Sequence, residues 1–127
     1  MKKKFQIWGS LLGGLGVIFG AFGAHALDSA IDATSLESYQ TAVRYQLFHA
    51  LLLLFLSQND TVGDKLLFRL ICSGIILFSF SIYLLSLRDL LGIEALRFLG
   101  PVTPIGGTLL IIAWSLIFWR SVNSKNY

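Results

Sequence analysis

Acidic residues are missing from every long apolar run of this 127-residue chain: all seven (Asp28, Asp32, Glu37, Asp60, Asp64, Asp89 and Glu94) fall in three short polar segments. Proton-coupled cation export needs an acid inside the membrane, so that class is disfavoured unless His49 takes the role. Cysteine is as scarce. Cys72 alone excludes an intramolecular disulfide and a cysteine-based zinc site. The two histidines, His25 and His49, have no acid near them at membrane depth, which leaves zinc short of its three or four ligands. Axial haem ligation needs only two histidines, but His25 ends an apolar run while His49 lies about 12 Å inside Thr41. Their depths disagree, so no metal and no cofactor is expected. A P-loop, a serine nucleophile elbow and an HExxH pair are also missing, and no enzyme class is indicated.

Charge itself is low. Charged residues make up 13% of the chain against 55% hydrophobic, and the mean hydropathy is +0.73. So small a soluble domain could not cover its surface with so few charges, which points to lipid as the solvent. The net charge of +3 comes mainly from the chain ends and is read as membrane topology, not nucleic-acid binding. Cutting at the charge clusters leaves apolar runs at 5–26, 42–58, 66–87 and 102–119. Each is close to the ~20 residues that carry a helix across about 30 Å of hydrocarbon. The runs lack period-2 alternation, so the expected fold is all-α: one domain of four transmembrane helices over residues 1–127.

Direction follows from the basic residues. Lys2, Lys3, Lys4, Lys65, Arg69, Arg120 and Lys125 fall on one side of this arrangement, and Arg44, Arg88 and Arg97 on the other. Seven against three puts both termini in the cytoplasm of a multi-pass protein of the cell membrane. Trp8 and Trp119 then meet the same inner interface. The competing reading of the N-terminus is a signal peptide, with the three lysines as its basic region and Ala24-His25-Ala26 as its cleavage site. The apolar stretch is too long for that reading, and it carries a glycine pattern that a discarded peptide would not need.

That pattern is Gly9, Gly13, Gly16, Gly20 and Gly23, spaced 4, 3, 4, 3 on one helix face and containing GxxxG twice. Small residues let a second helix approach closely, which in lipid replaces the missing hydrophobic force. The partner is either a helix of the same bundle or, in a homodimer, a second copy. Further on, Thr34 to Glu37 reads as a T-x-x-E capping box that starts the second helix near Ser35. Residues 60–64 make the inner turn, the segment 88–101 is an amphipathic interfacial stretch, and Pro101 leads into span 4. Gly106 and Gly107 there allow tight contact, with span 1 as the expected partner, and the helix N-terminus can attract an anionic headgroup.

Ionisable or polar groups at membrane depth are functional candidates by default. On helix 2, at about 100° per residue, Ser38, Ala42, Tyr45 and His49 share a face with Gln46 on its flank, whereas Arg44 points about 140° away from His49. Arg44 is expected to snorkel to the outer interface or to pair with Asp28 or Asp32. On span 3, Cys72, Ile76, Ser79, Tyr83 and Ser86 form a second stripe. The depths roughly agree, so a polar pocket walled by Tyr45, Gln46, His49, Ser79, Tyr83 and Thr103 is the sharpest site expectation. Inter-helix hydrogen bonding that only fixes packing is the plainer alternative. His25 marks the outer water boundary of span 1.

Three stretches, GAFGAHAL (20–27), TAVRYQLFHALLLL (41–54) and VTPIGG (102–107), carry a resemblance over nearly the whole chain. In order and spacing they resemble the small bacterial inner-membrane proteins filed as domain of unknown function 423, the uncharacterised protein family 0382, whose animal relative is transmembrane protein 256. The resemblance implies a four-span membrane protein and assigns no catalytic or binding residue. Its matched positions, Gly20, Gly23, His25, Arg44, Tyr45, Gln46, His49, Thr103, Pro104 and Gly106, are candidates only. The expected role is a non-enzymatic interaction or lipid-organising component, with membrane lipids and protein partners around it. The alternative is a small transporter or channel with its pathway near His49.

Overall fold

A computed structural model describes residues 1–59 and 63–123; Asp60 and Lys125, used above for the turn and the topology, lie outside them. Among the described residues there are four long helices and no strand. Helix α1 covers Lys2–His25 and α2 covers Ala33–Leu56. Helix α3 runs over Lys65–Leu91, a continuous helix whose middle, Ile76–Phe80, is wound as a π turn. A 3-10 segment, Glu94–Leu99, then leads to α4, Val102–Asn123. Three stretches, Lys2–Leu27, Lys65–Leu91 and Glu94–Asn123, are long and apolar enough to cross a membrane. Helix α2 is 24 residues long, but Gln40, Arg44, Gln46 and His49 dilute it.

Local chemistry sets the boundaries. Asp32 caps α2 by accepting from the Ser35 amide at 2.9 Å and from the Ser35 hydroxyl at 2.7 Å. The expected Thr34–Glu37 capping box is therefore corrected: an acid two residues earlier takes the first-turn amide, and the helix begins at Ala33. That bonding also holds the Asp32 carboxyl below its ordinary pKa. Asp64 caps α3 in the same way, accepting from the Leu67 amide at 2.9 Å. Gly92, at φ 68°, ends α3 in the left-handed conformation, with the Ile93 amide returning to the Arg88 carbonyl at 3.0 Å.

Helix α1 packs along α2, α2 beside α3, and α3 beside α4. One apolar core lies at the end that holds Lys2 and Asn123, around Phe5, Leu53, Leu67, Ile71 and Ala113. A second lies at the opposite, distal end around Leu27, Tyr39, Val43 and Tyr83. The glycine stripe faces α2: a Cβ added at Gly9, Gly16 or Gly23 would come within 2.9 Å of Leu54, 2.7 Å of Leu47 and 2.6 Å of Tyr39. Gly13 and Gly20 face Ala50 and Val43 of the same helix. A homodimer through these glycines would need a face that α2 already covers.

Gly106 corrects a second expectation. Its neighbour is α3, not span 1: a Cβ there would collide with the backbone of Leu77 and Phe78, inside the π turn, and Gly107 lies against the Phe78 ring. The wide turn pushes its backbone outward, and only a residue without a side chain fits opposite. The same turn rotates the helix face, so Ile76, placed on the polar stripe by regular spacing, is 47% exposed while Ser79, Tyr83 and Ser86 remain buried.

Candidate functional site

Polar side chains at depth meet across the helices in pairs. Gln46 is fully buried at 0% exposure. Its Nε2 donates to the Leu12 carbonyl of α1 at 2.8 Å, and its Oε1 accepts from the Tyr83 hydroxyl of α3 at 2.7 Å, so one amide joins three helices. Gly16 makes room for it, its missing Cβ lying 3.5 Å from Gln46 Nε2. Beside it the Tyr39 hydroxyl donates to the Phe19 carbonyl at 2.7 Å, and Ser79 Oγ donates to the Ala42 carbonyl at 2.9 Å.

Ser81, at the end of the π turn, lies 2.6 Å from Thr103 Oγ1 of α4 and also reaches the Leu77 carbonyl at 2.6 Å. A hydroxyl carries one proton, so Ser81 donates to the carbonyl while Thr103 donates to Ser81. His49 links α2 to α4. Its Nδ1 lies 2.7 Å from the Tyr45 carbonyl, and the Trp114 indole N–H donates to its Nε2 at 3.1 Å. A carbonyl only accepts and an indole only donates, so the arrangement fits the neutral ring with its proton on Nδ1. Tyr45 stacks on this imidazole with 20° between the planes, and its ring also meets Phe78 at 4.7 Å.

The six residues expected to wall one pocket do not gather around one space. Gln46 and Tyr83 bond each other, Ser79 is tied to Ala42, His49 to Trp114, and Thr103 to Ser81. Tyr45 is 44% exposed on the outer surface of the bundle. At the π turn it is Ser81, not Ser79, that reaches α4. Ser81 and Trp114 carry no signal in their own helix, since each matters only through a neighbour far along the chain. Tyr39 does carry one: it stands seven residues before Gln46, on the same helical face.

Arg44 is exposed and donates to Thr41 Oγ1 at 3.0 Å, one turn nearer the helix start. No ion pair joins it to Asp28 or Asp32 among the described residues, and Asp32 caps α2. His25 lies exposed at the last position of α1. At the terminal end, Arg120 of α4 meets Asp64 at 2.8 Å and holds its carboxyl below the ordinary carboxylate range. At the distal end a cavity of about 530 Å³ opens between α2, α3 and the start of α4, with Ser35, Ser38, Ser86, Arg88, Arg97 and Thr103 among its lining residues.

Comparison with known proteins adds a family to this geometry. Residues 19–107 match a family described as "Protein of unknown function (DUF423)". A UPF0382 membrane protein of Staphylococcus saprophyticus is 36% identical over 91% of this chain and 93% of its own length. The UPF0382 membrane protein YwdK of Bacillus subtilis is 37% identical over 94% of this chain and 97% of its own. A UPF0382 membrane protein of Schizosaccharomyces pombe is 37% identical over 86% and 95%. No solved structure matches.

Proposed function

The chain belongs to the DUF423 family, and from that premise we propose that it is a non-enzymatic, four-span protein of the cell membrane that organises lipid and partner helices around a fixed bundle. Helix α2 is the fourth span: it is flanked by two apolar helices, α1 and α3, and its buried Gln46 is bonded to both. Both termini lie in the cytoplasm, beside Lys2 to Lys4, Lys65, Arg69 and Arg120.

One observation carries the reading. The polar groups of Tyr39, Gln46, His49, Ser79 and Tyr83 are each bonded to another helix or to its carbonyls. A conducting pathway or a substrate pocket would present such groups to a space, because ligands are held by the bonds that protein groups have not made with each other. Here they hold helices together, and outside them lie Phe48, Phe55, Ile111 and Phe118, all strongly exposed and suited to acyl chains. This bonding supports the packing reading over the transporter alternative.

The test is reconstitution of the purified chain in liposomes with flux of protons, potassium and small solutes read across the membrane. The proposal expects no protein-dependent flux and a shell of slowly exchanging lipid around the protein. A saturable flux that disappears in His49→Ala would overturn it.

A further inference from the structure

The distal cavity has a chemistry that the bundle does not use. Arg88 and Arg97 line it, with hydroxyls of Ser35, Ser38 and Thr103 around them, and no carboxylate is among its lining residues. The acids nearest the two arginines, Asp89 at 3.5 Å from Arg88 and Glu94 at 3.2 Å from Arg97, stand outside that wall. Asp32 and Asp89 border a separate, neighbouring cavity of about 370 Å³. The larger space is thus lined by arginines and the smaller by acids, with Ser35 and Ser86 lining both.

A second observation is independent of charge. Ser86 lines this cavity and its neighbour at 7% exposure, and its Oγ has no hydrogen-bond partner; Arg88 Nε is also buried without a hydrogen bond, its nearest acid being Asp89 Oδ1 at 3.5 Å. Buried donors are nearly always bonded, and leaving one unmade costs more than a typical bond gains, so an orphan beside a cavity points to what the cavity holds. Two guanidinium groups and the hydroxyls of Ser38 and Ser86 converge on one space as donors, whereas the Ser35 and Thr103 hydroxyls already donate to Asp32 and Ser81. An oxyanion with several acceptor oxygens answers all of them at once, and planar guanidinium suits phosphate bidentately.

We infer that the distal cavity binds a phosphate group, held by Arg88 and Arg97 with Ser86 as a buried donor. Its place at headgroup level rests on the four-span, lipid-organising reading given above; its anion chemistry rests on the cavity alone. Ile82 and Leu85, which also line the cavity, suit the first carbons of a lipid below such a headgroup.

The experiment is native mass spectrometry of the full chain in detergent with three probes: dioctanoyl phosphatidylglycerol, dioctanoylglycerol with the same tails and no phosphate, and inorganic phosphate. Wild type is compared with Arg88→Gln, Arg97→Gln and Ser86→Ala. The expected result is retention of the phospholipid over its phosphate-free counterpart, weakened about tenfold by loss of either arginine and less by Ser86→Ala. If inorganic phosphate binds with the same arginine dependence and the phospholipid does not, the phosphate site stands and the lipid-organising reading fails. Equal binding in wild type and Arg97→Gln overturns the site. Arg97 is largely exposed, so that variant decides the matter even where Arg88→Gln fails to fold.

Discussion

Replacing Gln46 with leucine removes two buried bonds at once, and the structure allows the consequence to be worked out group by group. The Leu12 carbonyl loses only its second donor, because it remains inside α1 and keeps its helical partner. The Tyr83 hydroxyl is worse off. It donates to Gln46 Oε1 at 2.7 Å, and it is 6% exposed. Two inter-helix bonds in a membrane protein contribute roughly 0.6 kcal/mol each, and a buried hydroxyl left unpaired costs a further ~1–3 kcal/mol. Gln46→Leu should therefore destabilise the bundle by about 2–4 kcal/mol. Tyr83→Phe should cost somewhat less, about 2–3 kcal/mol, since it removes one bond, leaves Gln46 Oε1 buried without its donor, and spares the bond from Nε2 to Leu12. In the double variant nothing is left orphaned, so the combined loss should fall short of the sum by about 1 kcal/mol or more. The assay is reversible unfolding in mixed micelles, read for all four proteins as a double-mutant cycle. Losses that add within about 0.5 kcal/mol would refute the claim that these residues act as one hydrogen-bonded unit.

Other predictions follow from single contacts. Gly106→Ala should destabilise by several kcal/mol, since its Cβ meets α3 backbone, whereas Gly14→Ala, with nothing within 4 Å, should be neutral or slightly stabilising; thermal melts in detergent compare them. Stability should also depend on acid through Asp64. Its carboxyl is held low by Arg120, so the stabilisation is present above the unfolded pKa of about 4 and is lost as pH falls through the lower folded value. Melts from pH 7 down to about 3 should show a drop that is shallower in Asp64→Asn, though not flat, because Asp32 titrates in the same sense. Asp32→Ala should loosen the start of α2, seen as faster amide exchange at Ala33 to Leu36.

Much of the architecture was legible because lipid imposes a simple rule. An apolar run of about 20 residues must be a helix, and the four runs anticipated the four helices. The glycine stripe of α1 was legible for a similar reason, since its 4-3 spacing names a helix face without reference to any partner. What escaped was relational. The π turn at Ile76–Phe80 has no marker in its own residues, yet it decides that Ser81 and not Ser79 reaches α4, that Ile76 leaves the stripe, and that Gly106 must be glycine. The start of α2 was misplaced because T-x-x-E and D-x-x-S signals overlap within six residues, and the carboxylate at Asp32 took the first-turn amide. The pairing of His49 with Trp114 joins residues 65 apart in sequence, a distance over which no periodicity speaks. The distal cavity escaped for a related reason: Arg88 and Arg97 read as topology markers, and only the fold brings both to one space with the buried Ser86.

The account's central claim is that Tyr39, Gln46, His49, Ser79 and Tyr83 hold the bundle together and hold nothing else. A native mass spectrum of the protein gently extracted from its own membranes, beside the His49→Ala variant, tests this most directly. The prediction is that both carry the same lipids, with the variant only less stable toward heat. A species of defined mass bound to the wild type and missing from His49→Ala would contradict it and make His49 part of a binding site.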